Sequence, residues 1–165
     1  MVEGIKNLKA FLLKVCYYEN GMEKLSFDKF CKGIKNLTPS EFEEFTANLY
    51  SGLGYKVKLM PPGPDGGKDV ILKDDNGFVY VECKHYLKEM IGREICQKLI
   101  GAAIGDNIKR TIIFTCGKIH NNAYKYVEKI NESHNEVKLE IIDIEKMYNL
   151  YIKSKVTNKD LKLIS

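Results

Sequence analysis

Apolar residues recur at helical spacing in the first part of the chain: Val2, Ile5, Leu8, Phe11, Leu12 and Val15, then Met22, Leu25, Phe30 and Ile34. The pattern predicts two helical stretches broken at Glu19-Asn20-Gly21, together an N-terminal helical arm over residues 1–36. The next helix start is the sharpest signal in the chain. Thr38 reads as an N-cap, Pro39 takes the first helical position, and Glu41 lies three residues after Thr38, which makes a capping box. Phe42, Phe45, Leu49 and Leu53 mark the buried stripe, and Gly52 and Gly54 are candidate stops. A short strand from Tyr55 to Met60 then enters Pro61–Gly67, where three prolines and three glycines exclude helix.

Alternating patterns predict strands over about Lys68–Lys73 and Phe78–Lys84, joined by the turn residues Asp74-Asp75-Asn76-Gly77 as a β-hairpin. Ile91, Ile95, Leu99 and Ala102 or Ala103 suggest a helix. Strand Thr111–Thr115, helix Asn121–Glu132, strand Val137–Ile142 and a last helix from about Glu145 complete the order. The expected fold is α/β: an α-β-β-β-α-β core with a mixed sheet of four to five strands flanked by helices. Residues 37–152 form its main domain and 153–165 a basic tail.

Composition adds bounds. The 165 residues, 44% hydrophobic and 29% charged, suit one globular domain and leave no room for large multidomain machinery. Lys6, Lys9 and Lys14 interrupt the apolar start, so neither a signal peptide nor a membrane span is expected, and the protein reads as intracellular and cytoplasmic. Five cysteines, none within four residues of another, disfavour both a disulfide framework and a zinc ribbon. The net charge of +4 permits a polyanionic partner without specifying one.

The chemistry concentrates in Gly63–Asp69 and Val81–His85. On a strand, Tyr80, Glu82 and Lys84 share one face while Val79, Val81 and Cys83 share the other. A turn centred on Asp75-Asn76 sets Asp69 opposite Glu82; one centred on Asn76-Gly77 sets it opposite Lys84. Either register gathers two carboxylates and an amine on one face. Like charges directly opposed destabilise a sheet unless something offsets them. A Mg²⁺ or Mn²⁺ ion does so, since such ions take carboxylate oxygens together with water and substrate phosphate. Lys84 could then orient or deprotonate an attacking water, or stabilise phosphate charge. The plain alternative is a surface salt bridge contributing about 0–1 kcal/mol.

Asp69 and Glu82-Cys83-Lys84 resemble the PD-(D/E)xK nuclease signature. The surrounding residues resemble the catalytic domain of Mrr-like restriction endonucleases: Phe42-Glu43, Gly54-Tyr55, Asp65-Gly66-Gly67, Cys83-Lys84-His85-Tyr86, Ile112-Ile113-Phe114-Thr115 with Ala123, and Ile141-Ile142-Asp143. The likeness covers about Leu37 to Tyr151 and departs at Glu82, where many Mrr-like proteins carry Gln. It implies a metal-dependent DNA endonuclease of restriction or defence type, with a restriction-endonuclease-like core. Asp69, Glu82 and the Cys83 backbone carbonyl would hold the metal, Lys84 would act on water, and Glu43 would reach in from the first core helix.

Gln97, Asp65 and His85 are accessory candidates, though His85 should point away from Lys84. Lys88, Arg93 and Lys98 are candidate DNA contacts, for which binding should weaken with salt at a log-log slope of roughly −0.9 per phosphate. Cutting both strands suggests a homodimer bound to DNA, nucleoid-associated when so bound, with no small-molecule cofactor. The rival functions are a Holliday junction resolvase or structure-specific repair nuclease of the same superfamily, and a non-catalytic DNA-binding module.

Overall fold

The computed structural model describes residues 25–61, 63, 67–133 and 136–154. The expected helix over Val2–Val15, the candidates Asp65 and Gly66, and the tail beyond Ser154 lie outside the described residues. In chain order the elements are α1 (Phe27–Lys35), α2 (Pro39–Gly52), β1 (Lys56–Leu59), β2 (Val70–Asp74), β3 (Gly77–Lys84), β4 (Met90–Ile91), α3 (Arg93–Gly105), β5 (Arg110–Thr115), β6 (Lys118–Ile119), α4 (Asn121–Glu132), β7 (Lys138–Ile142) and α5 (Ile144–Lys153).

Local chemistry builds α2 as the sequence predicts. The Thr38 hydroxyl accepts from the Glu41 amide at 3.2 Å, and the Thr38 amide donates to Glu41 Oε2 at 2.8 Å. The helix stops where Gly54, at φ +94°, takes a left-handed conformation that costs glycine little. α1 buries Phe30 and Ile34, and the Phe30 ring stacks on Tyr151 of α5 at 5.0 Å. Tyr148 and Tyr151 also hydrogen-bond the backbone of Leu25, so the start of the described chain is tied to its last helix.

Five strands form one mixed sheet in the order β1-β2-β3-β5-β7; β1-β2 and β2-β3 are antiparallel, β3-β5 and β5-β7 parallel. Both faces are covered, which is the usual requirement for parallel strands. Phe42, Val70, Leu72, Val81, Cys83 and Phe114 belong to the core under α1, α2 and α5. Tyr80, Leu99, Ile113, Leu139 and Ile141 belong to the core under α3 and α4. The face that carries Glu82 is therefore largely apolar and covered by helices, which drives the carboxylate's burial.

The hairpin takes the first of the two registers. Val70 pairs with Val81 and Asp74 with Gly77, leaving Asp75-Asn76 as the turn. The Asp74 side chain accepts from the Asn76 amide at 2.8 Å and receives both Arg110 guanidinium nitrogens, at 2.9 and 2.5 Å. That bidentate pair clips the hairpin to β5.

Ile91 is not the first residue of a helix. It lies in β4, which pairs in parallel with β6, and its side chain fills the second core. Two-residue strands carry no periodicity, so the apolar spacing from Ile91 to Ile95 reads as helix in the sequence alone. Among the described residues no helix is long and apolar enough to cross a membrane.

Candidate active site

The site forms where β2 begins and β3 ends. The Asp69 amide donates to the Val81 carbonyl at 2.8 Å, and the Asp69 carbonyl accepts from the Met60 amide at 2.8 Å. Its backbone is thus held by β1 and β3 together. One step beyond the last paired residues, Asp69 falls opposite Glu82. Its Oδ2 accepts from the Cys83 amide at 2.7 Å, which brings the carboxylate to the next residue of β3.

Glu82 is only 4% exposed, and its Oε1 pairs with Lys84 Nζ. Its Oε2 is buried without a hydrogen-bond partner among the described residues. Burial lowers the affinity of Lys84 for its proton, but the hydrogen bond and charge of Glu82, with Tyr86 and Asp69, outweigh it and hold the ammonium above its ordinary range. The Lys84 carbonyl is fixed separately: Thr115 Oγ1 donates to it at 2.7 Å and accepts from the Gly117 amide at 2.9 Å.

Glu43 joins the group from α2. Burial raises its carboxyl to about 7, the negative charge of Asp69 adds to the rise, Lys84 opposes it, and Glu82 and Glu44 add smaller contributions. Glu43 thus responds to the charges of Asp69, Glu82 and Lys84 together. Burial pushes the Cys83 thiol well up against the opposing hydrogen bond from Thr46, so this cysteine is a protonated core side chain.

Other residues complete the setting. Gly67 has φ +86°, and a β-carbon there would stand 3.1 Å from Glu82 Oε2. Lys68 Nζ and Tyr80 Oη both donate to Asp106 Oδ2, at 2.6 and 2.8 Å, pinning the residue before Asp69 to the end of α3. Gly67 and Thr115 were quoted for the family likeness without a site role, and the Lys68–Tyr80–Asp106 cluster was not singled out from the sequence.

The remaining candidates separate. His85 Nε2 lies 2.8 Å from the Ile34 carbonyl and the ring packs 5.1 Å from Phe42, so His85 ties β3 to α1 and α2 on the face away from Lys84. Gln97 is exposed on α3, whereas Lys98 beside it extends to Gly67. Lys88 is exposed after β3. Arg93, also exposed, holds its guanidinium 4.8 Å over the Tyr126 ring.

Among the described residues no three His, Cys, Asp or Glu side chains converge closely enough to hold a metal ion. The donors present still fit a hard divalent ion, because two carboxylates, water and a phosphate are a common Mg²⁺ set and a backbone carbonyl adds to it. The buried, unpartnered Glu82 Oε2 is the specific observation in favour. An acceptor in that position is costly without a cation or donor.

Residues 34–151 match the restriction endonuclease family Mrr_cat. An uncharacterized protein of Sinorhizobium fredii, y4cE, is 29% identical over 121 residues, an alignment that spans 68% of this chain and 30% of that protein. A crystal structure of a protein of unknown function, AF1548, superposes with a TM-score of 0.50 at 20% identity over 65% of this chain and 63% of the other, a likeness of fold. The chain thus covers under two thirds of both.

Proposed function

The chain belongs to the Mrr_cat restriction endonuclease family, and from that premise we propose that it is a metal-dependent endodeoxyribonuclease of restriction or defence type. The observation that carries the reading is the gathering of Asp69, Glu82 and Lys84 at one end of the β2–β3 pair, where Glu82 Oε2 is buried with no partner among the described residues. Asp69 and Glu82, with the Cys83 carbonyl, are the groups to hold Mg²⁺ or Mn²⁺. Bound there, the ion supplies Lewis acidity toward phosphate and acidifies a water.

The protein's own groups do the rest. Lys84, anchored by Glu82 through its amine and by Thr115 through its carbonyl, orients the attacking water and offsets charge on the phosphate. Glu43, with a carboxyl near neutrality, can take a proton from that water or hold it by a hydrogen bond. Residues 37–152 are the nuclease domain in this reading, and two copies act on duplex DNA as a homodimer inside the cell.

The test incubates the purified protein with plasmid, linear duplex, methylated duplex and a four-way junction, in Mg²⁺, Mn²⁺ or EDTA, beside Asp69→Ala and Lys84→Ala. Metal-dependent cleavage lost in both variants is the expected result. Nicking unchanged in the variants would mean contamination and reject the site. Preference for the junction would move the reading to a resolvase, and light scattering that finds a monomer with and without DNA would reject the dimer.

A further inference from the structure

A second amine approaches the acidic group from α3. The point where a Gly67 β-carbon would stand is 3.1 Å from Glu82 Oε2 and 3.4 Å from Lys98 Cε. The space left open by Gly67 thus adjoins both the carboxylate oxygen that has no partner among the described residues and the end of the Lys98 chain. Lys84 is already paired with the other oxygen of that carboxylate. Lys98 is exposed and makes no ion pair with a described residue. An amine beside a buried acid ordinarily pairs with it; this one remains uncommitted at the rim, where a polyanion would arrive.

We propose that Lys98 is a second catalytic lysine, which contacts a non-bridging oxygen of the phosphate under attack from the α3 side while Lys84 serves the water from the β3 side. The proposal rests on the nuclease reading above. In hydrolysis the phosphorus gains a bond to the water oxygen and loses its bond to a sugar oxygen. The water's proton passes to a base, and the leaving oxygen takes one up. Lys98 exchanges no atom in this; its positive charge stabilises the additional negative charge on the phosphate oxygens. Gly67 fits the same role, since any side chain there would crowd both Glu82 Oε2 and the Lys98 chain.

Single-turnover cleavage of saturating duplex in Mg²⁺ tests this with the wild type, Lys98→Ala, Lys98→Arg, Asp69→Ala and the remote control Lys129→Ala, alongside DNA binding in EDTA and thermal melts. Lys98→Ala should slow cleavage by about 10²- to 10³-fold, the scale of one lost charge-stabilising donor. Binding should weaken by less than about fivefold, as for one phosphate contact among several. Lys98→Arg should recover most of the rate, because the charge is kept, and Lys129→Ala should match the wild type. An unaltered rate in Lys98→Ala, a loss confined to binding, or equal loss in Lys98→Ala and Lys98→Arg would overturn the proposal. If the wild type shows no cleavage that Asp69→Ala abolishes, the nuclease reading fails and takes this role with it. If it does and Lys98→Ala is unaffected, this role alone is rejected.

Discussion

Adding Mg²⁺ or Mn²⁺ to the metal-free protein should raise its melting temperature through Glu82. That carboxylate is 4% exposed, Lys84 pairs with only one of its oxygens, and Oε2 has no partner among the described residues. An unsatisfied buried acceptor costs about 1–3 kcal/mol, and a charged one more. A dication held by Glu82 and Asp69 removes that cost, and at a hundred times its Kd it adds about 2.7 kcal/mol to the unfolding free energy by mass action. For a chain of this length 1 kcal/mol corresponds to about 2–4 °C, so the wild type should melt about 5–11 °C higher. Glu82→Gln and Asp69→Asn should lose the shift. In EDTA, Glu82→Gln should melt within about 3 °C of the wild type, because it removes a buried charge together with one charge-assisted hydrogen bond. Calorimetry or dye-monitored melts across a metal titration read both quantities. An equal shift in the wild type and both variants would place the ion elsewhere, and no wild-type shift with either ion would refute the metal site.

Lys84→Ala should destabilise the metal-free protein by about 1–3 kcal/mol in urea unfolding, less than for a fully buried pair because Lys84 is 24% exposed. It should also lower cleavage by about 10²- to 10⁴-fold; a variant as active as the wild type would remove Lys84 from the reaction. Gly67→Ala should cost about 1–2 kcal/mol for its left-handed backbone and weaken metal binding by crowding Glu82, which isothermal titration would detect. Unchanged stability and metal affinity would argue against both effects. Glu43 should make the metal-free protein less stable as pH rises. Its folded value of about 7 exceeds the ordinary 4.5, so between these values the folded state binds more protons and loses stability with increasing pH. Glu43→Gln should therefore gain about 1 kcal/mol over the wild type near pH 8 and almost nothing near pH 4, the full shift being discounted for partial exposure. The same difference at both pH values would exclude a raised Glu43 carboxyl.

Much of the fold was legible because its signals are local. The Thr38–Glu41 capping box closes within one helical turn, and the structure contains both of its hydrogen bonds. The alternation in Val79–Lys84 fixes which side chains share a face, whatever the strand pairs with. Three points were not local. The hairpin register was limited to two choices, and the structure selects one, with Arg110, far along the chain, gripping Asp74 beside the turn. β4 and β6 are each too short to show a period. Alternation already turned His85 away from Lys84, but its partner, the Ile34 carbonyl, is set by α1 packing on that face.

By itself the sequence determined the two acids and the lysine that a sheet would bring to one face, the helices that flank them, and the family they resemble. Tertiary structure decided that Glu82 is buried with one oxygen unpaired among the described residues, that burial lifts the Glu43 carboxyl to about 7, and that Lys98 extends to Gly67. The physical reason is range. Capping and strand alternation act over a few bonds and leave a pattern in neighbouring residues. Desolvation and Coulomb interaction depend on which distant segments pack together, and only the assembled sheet and helices set those distances.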